Sequence, residues 1–483
     1  MRKTFIFICF FSIACLSCQS EITIDADVVI QNVAVVNVTS GEIESSRDVF
    51  IKGNRIQKIE TNSETKKYRN AKVIDGSGKY LIPGLWDMHT HPDDPEVWRM
   101  NPKTEDKDLL LPLFVAHGVT GIRDMAGDLN LVKRWRRLAK NDSLIAPKII
   151  AGGPLLDGPN PMWDGSVGIA STEQVKPVVD SLIAEGVDFL KVYSLLPRDI
   201  YLELSNYANE LDFPFVGHVP FTVPPSEAAT TGMKSQEHLL EIIKECSIKF
   251  DDNTLARIRS AQTGANRSVI ANDYRLSNFS ETKADSLYQL FVEHDIWHCP
   301  TLSMWYKNAW FEYELTKDKT QLAYLPEYLQ KYWTPEHNDH LKNRDNEDFI
   351  NIKKRLYKKY LDIVSKMNSK GVKLLAGTDM GANPLCFPGI GVYNELEAFV
   401  DADLSTLEAL QTATINPAVF LEIQNDYGTV EEGKIADLVL LNENPLANIS
   451  NVRSVNSVIQ NGNVYDDSEI SKIKKEIKDK ITN

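Results

Sequence analysis

Residues 81–91 read Leu81-Ile82-Pro83-Gly84-Leu85-Trp86-Asp87-Met88-His89-Thr90-His91, an apolar run that ends in two histidines one residue apart. A short continuous apolar run predicts a strand buried on both faces, the kind found in parallel sheets. In an extended chain, residues two apart point to one side at a separation of roughly 7 Å, so both imidazoles can reach one ion. The pair alone decides little, because two polar residues at a strand end are ordinary. Its weight depends on what the rest of the chain brings to the same place.

From about Leu81 to Asp426, apolar runs alternate with longer segments of helical character. The candidate strands are Leu81–Leu85, Val119–Arg123, Lys148–Ala151, Phe189–Tyr193, Phe215–His218, Ser235–His238, Ile296–Leu302 and Val372–Asp379. Eight strand–helix units are what a TIM (β/α)8 barrel needs, and the intervening segments suit parallel crossovers. Active sites of such barrels gather at the C-terminal ends of the strands. His218 closes Phe215-Val216-Gly217, His238 closes Ser235-Gln236-Glu237, and Asp379 closes Leu374-Leu375-Ala376-Gly377-Thr378. Lys191 sits inside the apolar Asp188-Phe189-Leu190-Lys191-Val192-Tyr193. A buried lysine is costly unless paired or neutralised, so Lys191 either snorkels from a strand edge or faces the site.

Three further residues are candidate substrate contacts. Tyr193 lies two positions beyond Lys191 on the same face, with simple packing as its alternative. Arg123, in Gly121-Ile122-Arg123-Asp124, suits a substrate carboxylate or else an internal ion pair. His298, in Trp297-His298-Cys299-Pro300-Thr301, is a candidate for the pocket wall. His117, His294, His337 and His340 read as structural or surface residues.

Outside the barrel region the pattern changes. Residues 26–60 alternate as short strands (Val28-Val29-Ile30, Val33 to Val38, Val49 to Lys52) with turns such as Gly53-Asn54. Ala436 to Leu441 and Val455 to Val464, broken by Asn461-Gly462, read the same way. Neither piece closes a sheet alone, so together they predict one small all-β module built from both chain ends. The expected organisation is a leader over 1–18, the β module over 19–80 with 425–466, a catalytic domain over 81–424, and a charged tail over 467–483. The tail reads as a short solvated helix or a frayed end. The connection from Ser303 to Lys370 is too long for a simple crossover and rich in aromatics (Trp305, Tyr306, Trp310, Tyr332, Trp333). It is either a substrate wall or lid, or a helical hairpin padding the exterior.

Composition narrows the function classes. The 483 residues are 43% hydrophobic, and a mean hydropathy of -0.27 is too polar for a multi-span membrane protein. A formal charge of -14 repels a phosphate backbone, which argues against nucleic acid as a partner. Arg2 and Lys3 precede an apolar run, Phe5 to Leu16, with the length of a signal-peptide core. It ends in Ala14-Cys15-Leu16-Ser17-Cys18, which resembles a bacterial lipoprotein box with Cys18 as the lipidated residue; Cys15, or an ordinary cleaved signal, is the alternative. Export is expected either way, to the periplasm or to the outer membrane through a lipid anchor. Cys246, Cys299 and Cys386 are too few and too scattered for a disulfide framework.

Taken together, Leu81 to His91, the strand lysine, His218, His238 and Ala376-Gly377-Thr378-Asp379 resemble the amidohydrolase superfamily, most closely its imidazolonepropionase-like and prolidase-like branch. Ala413-Thr414-Ile415-Asn416-Pro417-Ala418 and Gly428 to Val439 are similar to that group's C-terminal signature. The resemblance implies a distorted TIM barrel with a small β-sandwich. It also implies that His89, His91 and Asp379 hold a buried metal. Lys191, as N6-carboxylysine, would bridge to a second metal held by His218 and His238. Zinc suits such a mixed nitrogen and oxygen donor set, two ions per subunit or one. A metal-activated water would attack a carbonyl, and Asp379 would pass its proton to the leaving nitrogen. The expected substrate is a small molecule with an amide or peptide-like C–N bond, such as a dipeptide or an N-acyl amino acid. A cyclic amide, a lactone or a deamination is the alternative, and a non-catalytic surface lipoprotein is the reading from another class. Oligomeric state is not legible.

Overall fold

The computed structural model describes residues 23–63, 67–68, 71–317 and 319–482. The expected leader, with Cys15 and Cys18, lies outside the described residues. Among those described, no helix is long and apolar enough to cross a membrane.

Strands from both chain ends share one sheet. Val28–Val36 pairs antiparallel with Ile43–Lys52, which pairs with Arg55–Thr61. Val28–Val36 also runs parallel to Lys72–Asp75 and Tyr80–Pro83. Tyr80–Pro83 pairs antiparallel with Leu438–Leu441, and Val455–Gln460 and Asn463–Asp466 complete the order. The last two are joined by Asn461-Gly462, both at positive φ (50° and 82°), a conformation these two residue types tolerate in a tight hairpin turn. Its central strands are buried on both sides, as in Leu438–Leu441, whereas the edge strand Arg55–Thr61 is mostly exposed. Leu81, Leu438 and Leu440 pack within the module. Their neighbours Ile82, Val439 and Leu441 join the large core beneath the helices.

This arrangement corrects one expectation. Leu81–Leu85 is not a single barrel strand: Tyr80–Pro83 belongs to the two-ended sheet, and Leu85–Thr90 begins the second set of strands. The change of sheet falls at Gly84, whose N–H bonds Asp437 O at 2.8 Å. An unbroken apolar run carries no mark of that change.

Leu85–Thr90, Val119–Asp124 and Lys148–Ala151 run parallel. Leu190–Val192, Phe215–Gly217, Ser235–Glu237, Trp297–Cys299 and Lys373–Leu374 form a second parallel run. Asp188 N donates to Ala151 O at 2.9 Å on one side, and Met88 N donates to Ala376 O at 2.8 Å on the other. The sheet therefore curls round on itself, with helices such as Leu129–Lys140, Val175–Glu185 and Arg198–Glu210 between strands. This is a TIM-barrel-like α/β fold. Its interior is filled by Trp86, Met88, Phe189, Val216, Trp297, Cys299 and Leu375.

The C-terminal segment is neither frayed nor merely solvated. It forms the helix Asp467–Thr482, and Ile470, Ile473 and Ile477 bury one stripe of it against Leu113, Val115 and Val458. The connection after Trp297–Cys299 folds into the helices Leu302–Ala309, Phe311–Lys317, Glu327–Tyr332 and Glu347–Ser369. Its aromatics pack mainly on one another, as in Trp305–Tyr360 and Tyr306–Trp310 with ring centroids 4.9 Å apart. Another side of the same connection faces the cavity above the strands.

Candidate metal centre

The centre is assembled where the first and last parallel strands meet. Asp87 accepts from Thr378 Oγ1 at 2.7 Å and from Thr378 N at 3.1 Å. His89 O receives the N–H groups of Thr378 (3.0 Å) and Asp379 (2.7 Å). The close approach needs Gly377, where a Cβ would sit 2.4 Å from Cys299 Sγ and 2.6 Å from His89 Cβ. His238, Thr301 and Asp379 adopt left-handed backbone (φ 65°, 50° and 55°). Such strain in non-glycine residues clusters at functional sites.

His89 Nδ1 pairs with Glu237 Oε2 at 2.8 Å, which turns its Nε2 inward. That Nε2 and His91 Nε2 each lie 3.3 Å from Asp379 Oδ1. Donor atoms about 2.1 Å from a shared tetrahedral ion stand about 3.4 Å apart, so the three residues are spaced as ligands of one cation. Asn383 Nδ2 donates to Asp379 Oδ2 at 2.7 Å and fixes the carboxylate's orientation. His218 Nδ1 pairs with Ser194 Oγ at 2.9 Å and His238 Nδ1 with Thr301 Oγ1 at 2.8 Å. Each Nε2 is thereby free for a second ligand position. The His218 and His238 rings are 4.7 Å apart, and those of His89 and His238 4.4 Å.

Charge states suit metal ligation. Burial drives the His89 and His218 imidazoles well below their ordinary range and His238 to about 4, so all three are neutral donors. At His91 burial is outweighed by the hydrogen bond to Asp379, and the imidazole is raised. Burial would raise the Asp379 carboxyl, but His238 and His91 beside it hold it below the usual range, so it is ionised. Lys191 is 1% exposed, and its Nζ has no hydrogen-bond partner. Burial lowers its ammonium to about 8. His89 Nε2 is likewise buried without a hydrogen-bond partner. Buried orphans of this kind call for an ion or a modification to satisfy them. The residues therefore fit a metal: His89, His91 and Asp379 for one ion, with His218, His238 and Lys191 beside them. His89, Glu237 and Cys299 also lie close together. Burial pushes the Cys299 thiol far above its ordinary value, and Glu237 is already engaged, so this group is a poor ligand set.

Other candidates fall where the sequence did not decide. Tyr193 lines the cavity, stacked on His218 at 4.3 Å, with its OH accepting from Trp163 Nε1 at 2.9 Å. Arg123 does not reach the cavity. It is 0% exposed and bonds Glu237 Oε1 and Ser235 Oγ at 3.0 Å each, the internal ion pair. His298 is also outside it: Cys299 takes the inward face, and strand alternation turns His298 against Phe291 with ring centroids 4.3 Å apart. His340, expected to be structural or surface, instead lines the cavity, with Nε2 3.7 Å from Glu96 Oε1. Glu237 went unread, although alternation in Ser235-Gln236-Glu237 would have aimed it inward with Ser235. Trp163 sits in a loop and His340 in a single 3-10 turn, Asp339–Leu341, and neither carries a local signal. The cavity holds about 400 Å³, a volume for a small molecule.

Residues 307–465 match the family model described as "Amidohydrolase family". An adenine deaminase of Mesorhizobium japonicum is 44% identical over 66 residues, 14% of this chain and 11% of that protein. A dihydroorotase of Clostridioides difficile is 21% identical over 431 residues, covering 86% of this chain and 90% of that one. The chain spans only 11% and 22% of the length of two adenine deaminases it matches. Among solved structures, a bottromycin amidohydrolase superposes with a TM-score of 0.70 at 19% identity, over 94% of this chain and 90% of that one. An Xaa-Pro dipeptidase with bound methionine superposes at 0.64 and 19% identity, over 91% and 99%. Both are likenesses of fold. The match over residues 307–465 and the likeness of fold are together consistent with the amidohydrolase superfamily, whose prolidase-like and imidazolonepropionase-like branch the motif order resembles.

Proposed function

We propose that this chain is a metal-dependent hydrolase that cleaves an amide or peptide-like C–N bond of a small substrate, a dipeptide or an N-acyl amino acid. The observation that carries the reading is Asp379 Oδ1, equally 3.3 Å from the Nε2 atoms of His89 and His91. In this reading the curled sheet, from Leu85 onward, is a (β/α)8 barrel, and the two-ended sheet, with Tyr80–Pro83 as one of its strands, a β-sandwich. His89, His91 and Asp379 would hold one zinc, and His218 and His238, with a carboxylated Lys191, would hold a second. Reaction of the neutral Lys191 amine with CO2, with release of one proton, would turn an unpartnered buried amine into a carbamate anion that a neighbouring cation would satisfy. A bound divalent metal supplies a lowered water pKa and a polarised carbonyl.

The chain's own residues handle the proton and the substrate. Asp379, held by Asn383, accepts the proton of the attacking water and returns it to the leaving nitrogen. Tyr193, anchored by Trp163, presents its ring and hydroxyl to the substrate. The N-terminal leader supports export to the periplasm or a lipid-anchored surface position. The dihydroorotase relative, matched over 86% of this chain, favours opening of a cyclic amide as the second reading.

The test is to measure bound metal and to assay X-Pro dipeptides, N-acyl amino acids, cyclic amides and lactones. We expect divalent metal in the wild type and loss of hydrolysis in His91→Ala. Absence of divalent metal from the purified protein, or full hydrolysis by His91→Ala, refutes the mechanism. Cleavage of the cyclic substrates alone selects the second reading.

A further inference from the structure

One wall of the cavity carries a cation that the metal chemistry does not use. Lys353, on the helix Glu347–Ser369, lines the same space as His91, Lys191 and Asp379. Its Nζ donates to His340 O at 3.2 Å and lies 4.8 Å from the centroid of the Phe349 ring. Among the described residues no carboxylate forms an ion pair with it. The acidic side chains of the same wall are engaged elsewhere. Glu96 accepts from Tyr332 OH at 2.5 Å, Asp339 pairs with Lys342 at 2.5 Å, and Asp94 accepts from Ala382 N at 2.7 Å. The cavity wall thus offers two ammonium groups, Lys191 among the candidate ligands and Lys353 across from them, and no guanidinium.

We propose that Lys353 is the specificity-determining residue of the site, pairing with a carboxylate on the part of the substrate remote from the scissile bond. This rests on the amide-hydrolase reading, because it assigns the substrate's end rather than its reaction. A partly desolvated ammonium attracts an anion more strongly than an exposed one does. Multiply charged phosphate is favoured by arginine forks, but no arginine among the described residues lines the cavity, and Arg344, the one near Lys353, is engaged by the Glu312 carboxylate. A single point charge matches a single carboxylate. Burial, with Arg344 nearby, lowers the Lys353 ammonium to about 8, which still leaves it charged at neutral pH. The substrate class is then an N-acyl amino acid or dipeptide with a free C-terminal carboxylate, not an ester or amide of one.

The test compares N-benzoyl amino acids and short X-Pro dipeptides with their carboxamides, in the metal-loaded wild type, Lys353→Met and Lys353→Arg. Apparent affinity is read as KM where a compound is hydrolysed and as Ki or Kd where it is not, so the result does not depend on turnover. The wild type should prefer the carboxylates by about tenfold or more, equivalent to ~1.4 kcal/mol. Lys353→Met, which keeps the apolar stem, should bring that ratio close to one, and Lys353→Arg should restore part of it. A carboxylate acting through the metal alone would keep its preference in Lys353→Met, and that result overturns the proposal. So does a wild type that binds each carboxamide as well as its carboxylate. Failure of hydrolysis with the preference intact would instead count against the amide-hydrolase reading alone.

Discussion

Replacing Glu237 with Gln should weaken metal binding at the His89 pair about ten- to a hundredfold, because the residue that orients a ligating imidazole tunes its affinity. Glu237 has a second task. Its carboxylate is 0% exposed and pairs with Arg123, also 0% exposed, at 3.0 Å. Removing one partner of such a pair strands the other charge and costs about 3–5 kcal/mol. Glu237→Gln should therefore lower both stability and metal affinity, and Arg123→Met should lower stability by a comparable amount. The double variant carries neither buried charge, so its stability loss should be well below the sum of the two singles. Its metal affinity should stay low, because His89 Nδ1 still lacks the charged acceptor now 2.8 Å away. Urea unfolding of the metal-free protein reads the first quantity, and competition of the loaded protein against a chelator reads the second. If Glu237→Gln binds metal within about twofold of wild type, or if the double variant regains wild-type affinity, the orienting role is wrong.

Two further outcomes test the scaffold. Ile473→Ala should cost about 2–5 kcal/mol, since Ile473 is buried between the C-terminal helix and the Leu113–Val115 segment; a change in urea stability below about 0.5 kcal/mol would mean the helix is merely solvated. Burial, with Lys474 close by, pulls His117 from 6.5 down to about 3. The unfolded chain takes up that proton first, so the contribution of His117 to stability is level above pH 6.5 and falls as pH drops toward 3. His117→Gln should flatten this decline by about one proton, ~1.4 kcal/mol per pH unit, and an unchanged slope between wild type and variant would refute the assignment.

What the chain determines locally is the set of strand ends. His89 and His91 share a side because an extended backbone has a period of two, and His218, His238 and Asp379 are each preceded by a short run that ends there. The two-ended β module was legible for the same reason, from alternation and from turn residues such as Asn461-Gly462. Direction was not. Leu85–Thr90, Val119–Asp124 and Trp297–Cys299 are buried throughout, so no polar–apolar contrast tells inward from outward. On that account the sequence leaves open which way His298 and Arg123 turn. His298 lost the inward position to Cys299, and Arg123 turned to Glu237, 114 residues away. Gly84, where one apolar run passes between two sheets, was hidden for the same reason. The rest of the site depends on contacts distant in sequence. The Glu237 acceptor for His89, the serine and threonine that turn His218 and His238, and the wall carrying His340 and Lys353 exist only once the barrel has brought separate loops together. A local pattern has no term for a partner chosen by closure, so the shared direction of His89 and His91 is legible in the sequence while the groups that aim and surround them are left to the tertiary structure.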